Sequence, residues 1–465
     1  MDTDTLNLCQ SFIESSHLNS GIDILHSHTK LFKNLLSRRQ VPDDAWNSAT
    51  INLFLSYLSS MDSNNTSVIS IGEREGRVFS SLVSSRNFNF AHGVGRSGDI
   101  TSSQPKAAGS SILANLVSSL MIDTFKIVGL PKLESALMLP VATGMGLLLS
   151  LCTLRLEKPN KNSVLWIRAD QKSAPKSIVT AGFTLIIVDL CIDGDEVGLD
   201  LNTLRALLEQ HRDSALAVVS TTSCFSPRKV DDVLGIGRIC SEFGVYQVVN
   251  NAYGLQGPAS IKSLTRGLNG NVVDLFIQST DKNFMVPVGG CVVAGKKDLV
   301  KKVGASYPGR ASISPYIDMF ITLVSMGKTT LQSLLAERNE LYEYLCSRLN
   351  QFASDNNERI FCTSNGIAVG VTLNTLSAKS VQALGSILYR RGVSGVRTMS
   401  TCKTTTIGTV ELHEFGHHVV GYPNFYLNCA ASIGINRADV DGFVSKLQSC
   451  YREVLKKQNK SAVVL

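Results

Sequence analysis

None of the eleven cysteines stands in a C-x-x-C pair; they are scattered singly from Cys9 to Cys450. That spacing argues against a structural zinc site or a disulfide framework, and for a reducing compartment. The opening residues, MDTDTLNLCQ, lack the basic stretch and apolar core of a secretory signal, so a cytoplasmic protein is expected. No internal repeat or low-complexity tract is evident. One run, Ala136 to Leu154, lacks any charge and approaches the roughly 20 apolar residues of a membrane helix. Pro140, Thr143, Gly144 and Gly146 interrupt it, so it reads as a buried strand (ALMLPV), a glycine turn (ATGMG) and a helix (LLLSLCTLRL). No membrane partner is expected.

At 465 residues and 44% hydrophobic, the chain can bury more than one core, and its length fits about two or three domains. Lysine and arginine total 45 against 38 aspartates and glutamates, a net +7. That excess is compatible with a polyanionic partner and does not require one.

The first sixty or so residues read as helices, in SHTKLFKNLLSRR and NSATINLFLSYLSS, with Asn47 as an N-cap. From about Ile69 to Tyr316, short apolar runs alternate with helical stretches: SVLWIRAD, TLIIVDL, ALAVVST, YQVVNNA, VDLFIQS and GCVVAG. That alternation predicts an α/β fold with a mostly parallel sheet covered on both faces. A long helical stretch follows, then strand-like pieces (GIAVGVTL, TTTIGTVELHEF) and a closing helix. The expected organisation is an N-terminal helical arm over 1–65, a catalytic domain over 66–320 and a smaller α+β domain over 321–465.

Lys282 follows the apolar Phe276 and Ile277 in FIQSTDKNFMVPVGG, flanked by Ser279, Asp281 and Gly289-Gly290. An amine in a strand-to-loop bend can form a Schiff base with an aldehyde cofactor; the alternative is a solvated turn lysine. The turn Thr143-Gly144-Met145-Gly146 opens a helix, where free N–H groups can receive a phosphate, although such turns also serve as plain connectors. With Ser279, it has the layout of a pyridoxal-phosphate site.

A second polar group spans IGEREGRVFSSL and FNFAHGVGRSGDITSSQPKAAGSS. It sets Arg74, Arg77, Arg96 and Lys106 among glycines, with His92, Ser97 and Gln104 alongside. Glycines allow close backbone approach to an anion and arginine forks bind phosphate, so this is a pocket for a second phosphate or a polar surface loop. Arg310, in YPGR, lies shortly after the lysine strand. The chain also contains H-E-x-x-H at His413 to His417. A zinc site needs both histidines on one helix face; Gly416 inside the motif and the β-like run before it argue against that.

Taken in order, MDSNN, GEREGRV, HGVGRSGDI, QPKAAGSS, TTSCFSPR, VNNAYGLQ, DKNFMVPVGG and YPGRAS closely resemble the O-phosphoseryl-tRNA(Sec):selenocysteinyl-tRNA synthases, the soluble liver antigen family of fold-type-I pyridoxal-phosphate transferases. The resemblance runs from about Ser27 to the C-terminal helix. It implies that Lys282 carries pyridoxal 5'-phosphate, with Thr143, Gly144, Gln171, Asn250 and Ser279 as further cofactor contacts. Arg74 would touch the cofactor from its own chain or a neighbouring subunit. Gly95 through Lys106 would bind the phosphoserine phosphate, with Arg96, Ser97, Gln104 and Arg310 as ligands. Glu73 would repel a free α-carboxylate, since like charges in a confined site cost more than in water.

Asn250 stands where many fold-type-I enzymes place an aspartate against the pyridine nitrogen, which implies a weaker electron sink. The implied reaction is a β-replacement: the lysine amine is the candidate base for the α-proton, phosphate leaves, and selenium from selenophosphate adds. The implied product is selenocysteinyl-tRNA(Sec), with no catalytic metal and no DNA partner. Contacts to tRNA would fall on Arg397 and Lys446, on the helices around Lys30 to Arg39, and near Lys456 and Lys457. Asn269 departs from an arginine the family can carry, and the N-terminal helices would assemble a homotetramer. Two other readings share these motifs: a pyridoxal-phosphate lyase or desulfurase acting on a free amino acid, and a non-catalytic tRNA-binding scaffold.

Overall fold

Val, Ile and Leu fill the runs at 163–167, 215–221, 246–250 and 275–279, and all four form strands buried on both faces, apart from Tyr246 at one strand end. The computed structural model describes residues 3–463 apart from 67, 223, 224, 401 and 402. Positions 223 and 224 of the TTSCFSPR stretch, and the cysteines at 224 and 402, therefore lie outside the described residues.

The strands are β1 (Ser135–Leu139), β2 (Ser163–Ile167), β3 (Thr184–Val188), β4 (Cys191–Asp193), β5 (Glu196–Gly198), β6 (Ala215–Thr221), β7 (Tyr246–Asn250), β8 (Leu275–Ser279), β9 (Cys291–Gly295), β10 (Ile360–Cys362), β11 (Ala368–Thr372), β12 (Arg397–Met399), β13 (Thr405–Ile407), β14 (Val410–Leu412) and β15 (Tyr426–Ala430). Seven of them make one sheet in the order β1-β9-β8-β7-β6-β2-β3. Its neighbours are parallel from β3 to β8, while β9 runs antiparallel to both β8 and β1. The α/β class with a mostly parallel sheet is the one expected.

Register brings the strand ends together. Thr221 lies opposite Asn250, Asn250 opposite Ile277, and both Ser279 and Leu139 opposite Cys291. The carboxyl ends of β1, β6, β7 and β8 thus share one edge, where open α/β sheets bind their ligands. The charge-free run divides as expected into β1, a turn and the helix Thr143–Glu157. Among the described residues one helix, Ala108–Ile127, is long and apolar enough to cross a membrane, and 61% of its apolar window is buried inside the molecule.

Asn47 caps the helix Ser48–Ser59 through Oδ1, which accepts from the Thr50 N–H at 2.9 Å. Phe32, Trp46 and Phe54 pack together, and Phe54 stacks on Phe320 with centroids 5.3 Å apart. The inner face of the N-terminal helices therefore belongs to the same core as the large sheet. The long helix Ser314–Asp355 breaks at Gly327 (φ 65°, ψ 174°), where a Cβ would lie 2.9 Å from the backbone of Asp44 and Ala45. Residues before the break join the large core. Those after it pack with the antiparallel sheet β10-β11-β15-β12 and the helices Ala378–Arg390 and Arg437–Val463 around a second core.

The H-E-x-x-H run follows β14 as turns, with Glu414 at φ 51° and Gly416 at φ 118°. It is not helical, and Asp170 takes up the Gly416 and His418 N–H groups there at 2.7 and 2.8 Å.

Candidate active site

Lys282 does not sit in a loop. Residues Asp281–Phe284 form a single helical turn after β8, closed by Met285 in the left-handed conformation (φ 55°). Local sequence hides this, because four residues are too few for a helical period to register. The turn is held by Asn283, whose Nδ2 donates to Ala252 O at 2.8 Å and Ser279 O at 2.9 Å. Half-buried, the Lys282 amine lies 4.4 Å from the ring centroid of Tyr253. Burial lowers its pKa from the ordinary lysine value, while the Asp281 carboxylate pushes the other way. Ser279 is spoken for: its hydroxyl donates to Asp281 Oδ1 at 2.5 Å. In this structure it steadies the carboxylate beside the lysine instead of presenting a free hydroxyl.

Thr143 and Gly144 open the helix after β1, so their N–H groups have no intrahelical acceptor, whereas those of Met145 and Gly146 reach Ala142 O. Gly146 lets this helix lie against β9, since a Cβ there would meet Cys291 Sγ at 2.5 Å. Asn250 ends β7, buried, with Oδ1 accepting from Ala252 N–H at 3.3 Å. Gln171 follows Asp170, which Arg168 Nε fixes at 2.9 Å. A half-buried amine of lowered pKa, a helix N-terminus and a buried amide along one sheet edge fit an aldehyde that carries a phosphate.

The second polar group divides. Arg74, Ser97 and Arg310 line one cleft of about 690 Å³ with Asn87 and His92. Two hydrogen bonds between Val94 and Ala311, at 2.9 and 3.0 Å, bring residue 310 beside the glycine loop. Gly93 (φ +72°) permits this approach, because a Cβ would lie 2.4 Å from Ala311 O. Arg96 is exposed, on a tight turn whose N–H reaches Asp99 O at 2.9 Å, and Gln104 is anchored through its own N–H to Ser111 Oγ at 3.0 Å. Lys106 is paired with Glu75 at 2.5 Å instead of standing as a free cation of this pocket. Glu73 is exposed, not confined within this chain: the segment around it runs over the surface, so any confinement must come from a second chain or the substrate.

Arg397 and Lys446 line another cleft, of about 1060 Å³, together with Phe225 and Tyr253. The Arg397 guanidinium lies 4.1 Å from the Phe225 centroid, and Phe225 meets Tyr253 edge-on at 6.0 Å. A continuous ladder thus leads from Arg397 to the Lys282 amine. Lys457, by contrast, pairs with Glu453 at 2.7 Å.

Sequence reasoning missed Tyr253 and Phe225, although both lie in quoted motif stretches. His92, set alongside the second polar group by its sequence position, lines the cleft of Arg74 and Arg310; its Nε2 is 3.0 Å from Ser63 Oγ and its buried Nδ1 has no hydrogen-bond partner among the described residues.

A family model described as O-phosphoseryl-tRNA(Sec) selenium transferase matches residues 61–452. The chain belongs to this family. A family member from Dictyostelium discoideum is 40% identical, covering 97% of this chain and 100% of its own length. One from Caenorhabditis elegans is 37% identical, covering 93% and 92%. The crystal structure of an archaeal member superposes with a TM-score of 0.86 at 29% identity, over 94% of this chain and 98% of that one. A sphingosine-1-phosphate lyase from Burkholderia pseudomallei shares the fold alone, at a TM-score of 0.57 and 11% identity. The family assignment agrees with the resemblance carried by the motifs.

Proposed function

We propose that Lys282 binds pyridoxal 5'-phosphate and that the chain uses it in the reaction for which its family is named. That reaction converts O-phosphoseryl-tRNA(Sec) to selenocysteinyl-tRNA(Sec). The observation that carries the site assignment is the Lys282 amine, half-buried over Tyr253 at the sheet edge where the Thr143 helix begins.

When bound, the cofactor supplies an electron sink for loss of the α-proton and of the phosphate group. Thr143 and Gly144 would hold its phosphate through the helix N-terminus, Gln171, Asn250 and Arg74 would supply further contacts, and Ser279 acts by restraining Asp281. The lowered pKa keeps more of the Lys282 amine neutral, as attack on an aldehyde and proton abstraction both require.

Arg96, Ser97, Gln104 and Arg310 receive the phosphate of phosphoserine, and the arginines stabilise it as it departs with the bonding electrons of the C–O bond. The selenium of selenophosphate then bonds to the vacated β-carbon as a proton returns to the α-carbon, and water cleaves the Se–P bond, releasing phosphate and leaving the selenol. Glu73 disfavours a free α-carboxylate, and Arg397 and Lys446 hold the tRNA end in their cleft. Exposed Ile69, Ile71, Phe79 and Leu82 supply an apolar strip for subunit contact, consistent with a homotetramer in the cytoplasm.

The test pairs pyridoxal phosphate and selenophosphate with phosphoseryl-tRNA(Sec), seryl-tRNA(Sec) and free phosphoserine in parallel. Only phosphoseryl-tRNA(Sec) is expected to turn over; comparable turnover of free phosphoserine would favour the free-amino-acid lyase. Arg96→Ala and Arg310→Ala should keep the cofactor's absorbance and lose about 10- to 100-fold in turnover, the worth of one charged hydrogen bond. Normal turnover in both would remove the second phosphate site.

A further inference from the structure

The one-turn helix that presents Lys282 is gripped by a residue with no part in the chemistry above. Gln256, in the short turn Gly254–Gln256, donates from Nε2 to Lys282 O at 2.5 Å. Its other amide atom, Oε1, accepts the N–H of Ile433 at 2.6 Å. Only 3% of Gln256 is exposed; its bond to Ile433 is buried and that to Lys282 partly so, and a buried partner left orphaned bears its desolvation cost. Ile433 and Gly434 line the cleft that holds Arg397 and Lys446. Gly434 also packs on Met285, which closes the lysine's turn: a Cβ at 434 would lie 2.7 Å from Met285 Cε. The cleft wall therefore reaches the lysine's turn twice, directly from Gly434 to Met285 and, from Ile433, through Gln256.

Arg338 fixes the backbone of the same glutamine. This fully buried guanidinium donates to Gln256 O at 2.8 Å, to Ala431 O at 2.9 Å and to Gly366 O. It joins the turn of Gln256 to segments beside β15 and β11, in the sheet of the second core.

We infer that Gln256 is a positioning residue for Lys282, tying the lysine's turn to the wall of the basic cleft so that amine and cleft occupant are set in register. The inference rests on Lys282 being the cofactor lysine. Gln256→Glu keeps an acceptor for Ile433 N–H and sets a second acceptor against Lys282 O; Gln256→Met preserves volume and loses both bonds.

Both variants, loaded with pyridoxal phosphate, are compared with the wild type by thermal melting, by pH titration of the cofactor's visible band, and by kcat and KM for phosphoseryl-tRNA(Sec). The expected result is a displaced titration midpoint and a kcat lower by about tenfold, with KM little changed, in folded protein. Should Gln256→Met fail to fold, Gln256→Glu decides. A wild-type midpoint and kcat in folded Gln256→Glu, or losses matching only the unfolded fraction, would overturn the inference. Lys282→Ala separates the two claims: a visible band that survives in it refutes the lysine assignment, whatever Gln256 does.

Discussion

At Lys282 two forces oppose each other. Removing the ammonium from water disfavours charge, and Asp281 favours it; burial is the larger and the pKa falls. The half-titration of pyridoxal phosphate attachment, trapped with borohydride across a pH series, should therefore lie below the ordinary lysine value of about 10.4. Asp281→Asn removes the opposing charge and should move the midpoint lower still. An unchanged or raised midpoint in that variant would show that Asp281 does not act on the amine. The lysine itself was legible from its motif. Its aromatic partner was not, because Tyr253 follows a different strand and reaches Lys282 only through the parallel pairing of β7 with β8.

The helix Thr143–Glu157 shows how one glycine sets an element's position. Alanine is the better helix former by about 1 kcal/mol, so Gly146→Ala would stabilise an isolated helix. Here its Cβ would press on Cys291 Sγ at 2.5 Å, in a fully buried site whose thiol pKa is raised to about 12. Overpacking costs about 1–3 kcal/mol and outweighs propensity. Gly146→Ala should lower the melting temperature and weaken cofactor binding, as the helix N-terminus is pushed off β9. Gly442→Ala, in the closing helix with nothing within 4 Å, is the control and should be neutral or stabilising. The helix was readable from its apolar residues. The need for glycine at 146 was not, since it depends on a strand more than a hundred residues away.

Over the whole molecule, the surface carries more apolar area between 68 and 83 than a lone chain in water would favour. Ile71 is 94% exposed and Leu82 79%. This strip flanks Glu73 and Arg74, two residues assigned to the site. Phe79→Asp combined with Leu82→Asp should lower the sedimentation mass and, with it, turnover, while each chain stays folded by circular dichroism. An unaltered mass would separate the strip from assembly. The basic cleft is a feature of the same scale: Arg397 and Lys446 come from different elements of the second core and meet only across its surface.

What the sequence determined by itself was the alternation of strands and helices, the placement of Lys282 and the glycine turns, and the family. Strands buried on both faces must be continuous apolar runs, and a motif is a local string. The tertiary structure alone decided that Arg310 stands beside the 93–97 loop, that Lys106 is paired with Glu75, that Glu73 is exposed, and that Tyr253 and Gln256 hold Lys282. Those contacts follow from strand order and register, which set distances between residues far apart in the chain and leave no periodic trace along it.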